Sequence, residues 1–394
     1  MNIFSTTPGS SVIEARRVQK ILAALRKGPK DVRPQWEIVD GLAQEGHVAA
    51  LVELLDGLRD AATEGRAPAW AVQSIAERVE DHLCLSTGWE GAVQALLLGL
   101  RSRPAVDPSS RSDHSAKIAA RLAQAHGPAI LESLFTELSQ APGTEQTFLH
   151  LCQEMVLRGY PCLEMPSVAR FWEGAKHQAP DLAWLPLRRT EAELSLSLPS
   201  FGVSHSGYSW GPEPALQNLR ELRRDRLRLS SIPDADAERM RSVVTDWIDH
   251  SNGQAETAAF VLEEAAQGAL DFLQICVSLP LTCLDGVRLE ASQGAEISPS
   301  RAFALLFSAA VSGGAYSSSP FGARARLLAW RSAAGLTLCG REAEFEEVCE
   351  RLMRARWVEL RLDTPWFGQI AWDLALAAFL DGRRVTGLFA TDED

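Results

Sequence analysis

The sequence predicts an α+β protein: an α-helical array over residues 1–184, followed by a smaller sheet-containing C-terminal domain over 185–394. Three observations lead there. Apolar residues recur at helical spacing through about residue 180, cut into helix-length pieces by Gly and Pro. At Glu191–Leu198 the spacing changes to strict alternation, the mark of a strand. The chain then closes on an alternating run, Trp357–Leu362, an apolar segment, Phe367–Leu380, and a second strand-like run, Val385–Ala390. A length of 394 residues fits two domains, and 46% hydrophobic with 23% charged residues is an ordinary globular composition.

The first helix is predicted over Val12–Arg26, with Val12, Val18, Ile21, Leu22 and Leu25 near one face. Val48–Leu58 follows, then Ala69–Leu83, Trp89–Leu100, Ala116–Ala125, Ala129–Leu138 and Thr147–Leu157. Gly65, Pro68, Gly88, Pro104, Gly127-Pro128, Pro142-Gly143 and Gly159 separate them. No strict repeat is present, so the array is assigned to no named repeat class. Beyond the strand at Glu191–Leu198 and a Gly/Ser-rich stretch to Pro214, residues 215–228 read as a basic surface helix. Thr257–Leu262 reads as a strand and Leu270–Val277 as a helix. Ser298-Pro299 supplies an N-cap and first-turn proline for a helix to about Ala310, ended by Gly313-Gly314. Ser319-Pro320 repeats that start signal for a helix through Ala334, and Glu342–Arg354 forms another. The closing strand–helix–strand implies a right-handed crossover if its strands are parallel.

Composition narrows the function. The formal net charge of −12 argues against nucleic-acid binding and suits a basic protein partner. The seven cysteines are odd in number and scattered, without Cys-x-x-Cys, which fits reduced thiols. No apolar run approaches a membrane span, and Met1–Pro8 lacks a secretory signal, so the expectation is a cytoplasmic protein with no membrane contact. There is no lysine after Lys176 and no histidine after His250, which removes Schiff-base and histidine-base chemistry from the last third. No phosphate-loop, dinucleotide or His-Glu-x-x-His motif occurs, and no metal or cofactor is expected.

Gly207-Tyr208-Ser209-Trp210-Gly211 matches the nucleophile elbow of serine hydrolases. An elbow needs a helix directly after the serine, whereas Pro212 and Pro214 follow here, so a loop is the preferred reading of Ser209. His82-Leu83-Cys84 and His150-Leu151-Cys152 place their ligand types two apart, which on a helix points them away from each other. The loop of Gly313, Gly314, Tyr316 and Ser319, leading to Arg324 and Arg326, is the candidate anion site, because helix N-termini present unpaired N–H groups. The apolar Phe367–Leu380 segment, read as a buried helix, carries Gln369 and Asp373 on one face. Asp373 is expected to be buried against an arginine, Arg324, Arg326 or Arg331, with Trp330, Trp366 and Trp372 as structural packing. The rival reading makes Asp373 an acid in a ligand pocket.

The segments Phe307-Ser308-Ala309-Ala310-Val311-Ser312-Gly313-Gly314-Ala315-Tyr316, Arg326-Leu327-Leu328-Ala329-Trp330-Arg331-Ser332 and Thr364-Pro365-Trp366-Phe367-x-x-Ile370-Ala371-Trp372-Asp373-Leu374 resemble an uncharacterised bacterial family, domain of unknown function 6183. The resemblance is clearest over residues 300–392 and implies no activity, ligand or catalytic residue. The leading expectation is a noncatalytic cytoplasmic protein-interaction protein, such as an immunity or antitoxin-type inhibitor that masks a basic toxin. The alternatives are an enzyme or small-ligand binder using the Gly313–Arg326 loop with Asp373, and a homo-oligomeric scaffold.

Overall fold

The structure is a computed structural model that describes residues 12–86, 88–101, 108–175, 177, 180–210, 215–266, 268–315 and 321–392. It is a mixed α+β fold, helical toward the N-terminus with its seven-stranded sheet in the C-terminal part. Two compact units divide the chain. One runs to Ala175 and takes in Ser200–Gly207; the other comprises Lys176–Pro199 and Tyr208–Asp394.

The helical unit contains α1 (Val12–Arg26), α2 (Arg33–Gln44), α3 (Val48–Thr63), α4 (Ala69–Leu85), α5 (Trp89–Arg101), α6 (Pro108–Ala125), α7 (Pro128–Leu138), α8 (Glu145–Leu157) and α9 (Pro166–Ala175). Among the described residues no strand precedes Ser200, as the helical spacing predicts. Helix α8 is its centre: every residue from Thr147 to Leu157 is buried. Phe148 of α8 meets Phe135 of α7 and Phe171 of α9, with ring centroids 4.6 and 5.6 Å away.

A hairpin, β1 (Ser200–Gly202) and β2 (His205–Gly207), folds onto these helices. The Gln124 side chain extends it like a strand, donating to the Phe201 carbonyl at 2.7 Å and accepting the Phe201 N–H at 2.8 Å. Asp81 accepts the Ser204 N–H at 2.8 Å and faces Lys117 and Arg121 at 3.2 and 3.1 Å. Asp40 is gripped by both Arg78 and His82. Burial works against the Asp40 charge, but hydrogen bonds from Arg78 and His82 prevail and hold its carboxyl below the usual range.

In the second unit, α10 (Pro180–Ala183) precedes a single 3-10 turn at Glu191–Glu193. This corrects the strand expected at Glu191–Leu198. Thr190 and Glu193 form a reciprocal capping box, and Glu193 is drawn fully inside. The basic helix expected over 215–228 is also absent: the described residues hold the two-residue β3 (Gln217–Asn218) and otherwise irregular chain. Then follow β4 (Leu229–Ser231), α11 (Ala237–Met240), α12 (Thr245–His250), β5 (Gln254–Leu262), α13 (Ala269–Ser278) and β6 (Gln293–Ile297). Helix α14 (Pro299–Ser312) starts as its signal predicts, with Ser298 accepting the Arg301 N–H, and ends at Gly313, whose φ is +62°. Helices α15 (Phe321–Leu336) and α16 (Phe345–Arg354) lead to β7 (Arg356–Arg361), β8 (Trp372–Leu380) and β9 (Arg384–Asp392).

The closing strand–helix–strand is therefore an antiparallel meander, and the segment expected as a helix is β8. The sheet order is β3-β6-β7-β8-β9-β5-β4, with Leu376 opposite Leu388 in the β8–β9 pair and Glu359 opposite Leu376 in β7–β8. Strand β8 is buried on both faces. Ala375, Ala377 and Phe379 enter the core with Phe272, Leu273 and Cys276 of α13, while the intervening residues lie on the side where α14 packs. Two buried faces erase the alternation that identifies a strand.

Candidate functional site

In the described part of the expected anion loop, the Ala315 N–H is already taken by the chain itself. Asp392, fully buried at the end of β9, accepts the Ala315 N–H at 2.7 Å and the Ser251 hydroxyl at 2.8 Å. Gly314 is required by close approach: a Cβ there would fall 2.8 Å from the Ser251 Cβ and 3.2 Å from the Trp247 Cα. Tyr316 and Ser319 lie outside the described residues. Arg324 sits half-buried on α15.

Arg326 turns away from that loop into the interior, where it is 0% exposed. Its Nε and Nη2 donate to the Glu193 carboxylate at 2.5 and 3.0 Å, and it also donates to the carbonyls of Pro186 and Arg188. Trp330 Nε1 donates to the same carboxylate at 3.0 Å, and the Thr190 N–H at 2.7 Å. Burial pushes the Glu193 carboxyl up, but the Arg326 charge and these hydrogen bonds outweigh it and hold it below the usual range. Arg326 is one of three arginines, with Arg324 and Arg331, expected to face Asp373; its observed carboxylate partner is Glu193. Arg331 pairs with Asp181 at 2.6 Å.

Asp373 lies on a strand, half-buried, and accepts the Thr391 hydroxyl at 2.7 Å from the neighbouring strand β9. Gln369 precedes β8 and donates to the Leu362 carbonyl at 3.3 Å, so the shared helical face expected for Gln369 and Asp373 does not exist. Trp366 packs edge-on against Phe367, and Trp372 stacks on Trp210 at 5.5 Å. Ser209 is exposed just past β2, and its neighbour Tyr208 binds the Ser308 hydroxyl at 2.6 Å; Gly211 lies outside the described residues.

A different place in the second unit gathers unused polar groups. Helices α10 and α11 and the segment 341–344 border a cleft of about 620 Å³. Arg239, Arg331 and Arg341 line it, with Trp184 as an aromatic wall. The wall is fixed by Trp184 Nε1, which donates to the Ala343 carbonyl at 3.2 Å. Arg331 is neutralised by Asp181, and Arg341 by Asp236 at 2.8 Å. The Arg239 guanidinium donates from Nη1, to the carbonyls of Cys339 and Gly340 at 3.3 and 2.9 Å, while its backbone N–H donates to Asp236. Burial comes first among the causes that push its guanidinium below the usual arginine range; the nearby Arg331 and Arg341 charges add to it, against Asp236. Glu238, Glu342 and Glu344 also line the cleft and enter no ion pair among the described residues.

Sequence reasoning missed Glu193, Asp392, Arg239 and Trp184. Only Glu193 had a local signal: Thr190-Glu191-Ala192-Glu193 fits the capping-box pattern. Among the described residues no cluster of three His, Cys, Asp or Glu is placed to hold a metal, and no helix is long and apolar enough to cross a membrane.

Fold and cleft together define a mixed α+β protein with a charged groove in its sheet-containing unit. The chain belongs to a family of unknown function, DUF6183, whose model matches residues 33–394. No curated protein and no solved structure matches it.

Proposed function

We propose that the protein is a noncatalytic binding protein of the cytoplasm whose partner is a basic protein, in the manner of an immunity or antitoxin-type inhibitor. The observation that carries this reading is the trio Glu238, Glu342 and Glu344, three carboxylates on one cleft without cationic partners among the described residues. The charge distribution supports it. Residues 242–300 carry nine Asp and Glu (246, 249, 256, 263, 264, 271, 285, 290 and 296), of which Glu263, Asp285 and Glu296 pair with Arg228, Arg224 and Arg356, against Arg288 alone, and the whole chain stands at −12. A net negative charge attracts cations and repels nucleic acid. The ligand-binding alternative at Gly313–Arg326 is weakened because Asp392 already occupies the Ala315 N–H and Arg326 is committed to Glu193.

The test is co-expression with the product of the adjoining gene in the native genome, followed by size exclusion. A stoichiometric complex with a basic protein that dissociates as ionic strength rises supports the reading. A neutral or acidic partner bound independently of salt contradicts it.

A further inference from the structure

We infer that the cleft lined by Arg239, Trp184 and Glu342 is a peptide site that holds a carboxylate of a basic segment on Arg239 and its cationic side chains on the glutamates. The inference rests on the basic-partner reading and adds to it a location and a ligand chemistry.

Arg239 carries the anion half of the argument. A guanidinium offers five N–H donors in a planar fork that matches a carboxylate bidentately. In Arg239 only Nη1 is used, on two backbone carbonyls. Nε and Nη2 donate to no group among the described residues, on a side chain that lines the cleft. Its two neighbours are each closed by an aspartate, so Arg239 is the arginine of this trio left without a carboxylate. Its position is set by packing: a Cβ at Gly335 would lie 2.6 Å from the Met240 nitrogen and 3.0 Å from the Arg239 carbonyl carbon. Helix α11 therefore rests directly on the backbone of α15.

The cation half comes from the lining charges. With Arg331 and Arg341 neutralised, one arginine faces Glu238, Glu342 and Glu344. A dianion such as phosphate would meet one arginine without a carboxylate partner and three like charges. A ligand with one carboxylate among several lysines or arginines satisfies both signs. The volume, about 620 Å³, admits a few residues of such a chain. Trp184 adds a surface for an aliphatic stem or a cation.

The carboxylate could be a chain terminus or an aspartate side chain, and the probes separate these sources. Three dye-labelled hexapeptides of lysine and arginine are titrated by fluorescence anisotropy: one with a free C-terminal carboxylate, one C-amidated, and one C-amidated with an internal aspartate. At least one carboxylate peptide is expected to bind about tenfold tighter than the plain amide, and whichever does identifies the source. Arg239→Gln should abolish that preference without abolishing amide binding. Glu342→Gln with Glu344→Gln, both on exposed side chains, should weaken all three peptides. Equal binding of the three peptides, or a preference unchanged in Arg239→Gln, overturns the carboxylate anchor while leaving the basic-partner reading standing. Failure of every basic peptide to bind, together with failure to bind a basic protein, overturns both.

Discussion

Two arginines of the same unit show how similar chemistry is put to different ends. Arg326 lies wholly inside, bidentate on Glu193, with Trp330 on the same carboxylate and backbone carbonyls on its remaining edge. Arg239 lies half-buried on a cleft wall, with one guanidinium nitrogen on backbone carbonyls and Nε and Nη2 donating to no group among the described residues. The first is fully committed to the interior; the second keeps donors available to a ligand. A buried charge must be paired where it sits, so Arg326 is a structural requirement. A half-exposed guanidinium can keep donors in water at little cost, so Arg239 can wait for a partner.

The largest way to break this comparison is to remove the Glu193 charge. Glu193→Gln leaves Arg326 buried without a counter-charge and should destabilise by ~3–5 kcal/mol, read by thermal or urea melts. The pH dependence has a definite sign. The folded carboxyl titrates below its ordinary 4.5, so its contribution is complete above that value and is lost as pH falls through the folded one. Wild type should lose stability on acidification below about pH 4.5 more steeply than Glu193→Gln; parallel acid limbs would show that the pair contributes no linkage.

Next comes Gly335→Ala. Its new Cβ meets the backbone of α11 and not a flexible side chain, so α11 must shift. A loss of ~1–3 kcal/mol is expected, together with weaker peptide binding because Arg239 moves with the helix. Asp392→Asn should cost ~1–2 kcal/mol, since the charged acceptor for Ala315 N–H and Ser251 is lost while the shape is kept. The smallest effect concerns the thiols. Six cysteines are buried, and burial pushes the Cys84 thiol up to about 12, so Cys349 should be the first to react with a thiol reagent in the native protein. Fast labelling of Cys84 or Cys276 would show the core to be open.

What could be read from the letters follows the range of the forces involved. Helix α14 was legible because Ser298, Pro299 and Gly313 act locally on caps and backbone angles. Strand β8 was not: its neighbours on both faces come from elsewhere in the chain, and an unbroken apolar run has no period to declare it. The alternation at Glu191–Leu198 misled in the other direction, because the local capping box and a buried arginine 133 residues away decided the conformation of Glu193. The same distance hid the candidate site. The letters point to Gly313, Gly314 and Arg326 as a ligand loop, yet the acceptors that sit there, Asp392 on the Ala315 N–H and Glu193 on Arg326, can be identified only once the sheet and α15 are in place.

The central claim is that Arg326 holds the fold whereas Arg239 holds a ligand. One set of thermal melts tests it: wild type, Arg326→Gln and Arg239→Gln, each with and without the basic peptide bearing the preferred carboxylate. Arg326→Gln should melt well below wild type. Arg239→Gln should melt near wild type and lose the upward shift that peptide gives the wild-type protein. An Arg326→Gln protein as stable as wild type, or an Arg239→Gln protein that keeps the full peptide-induced shift, would contradict the account.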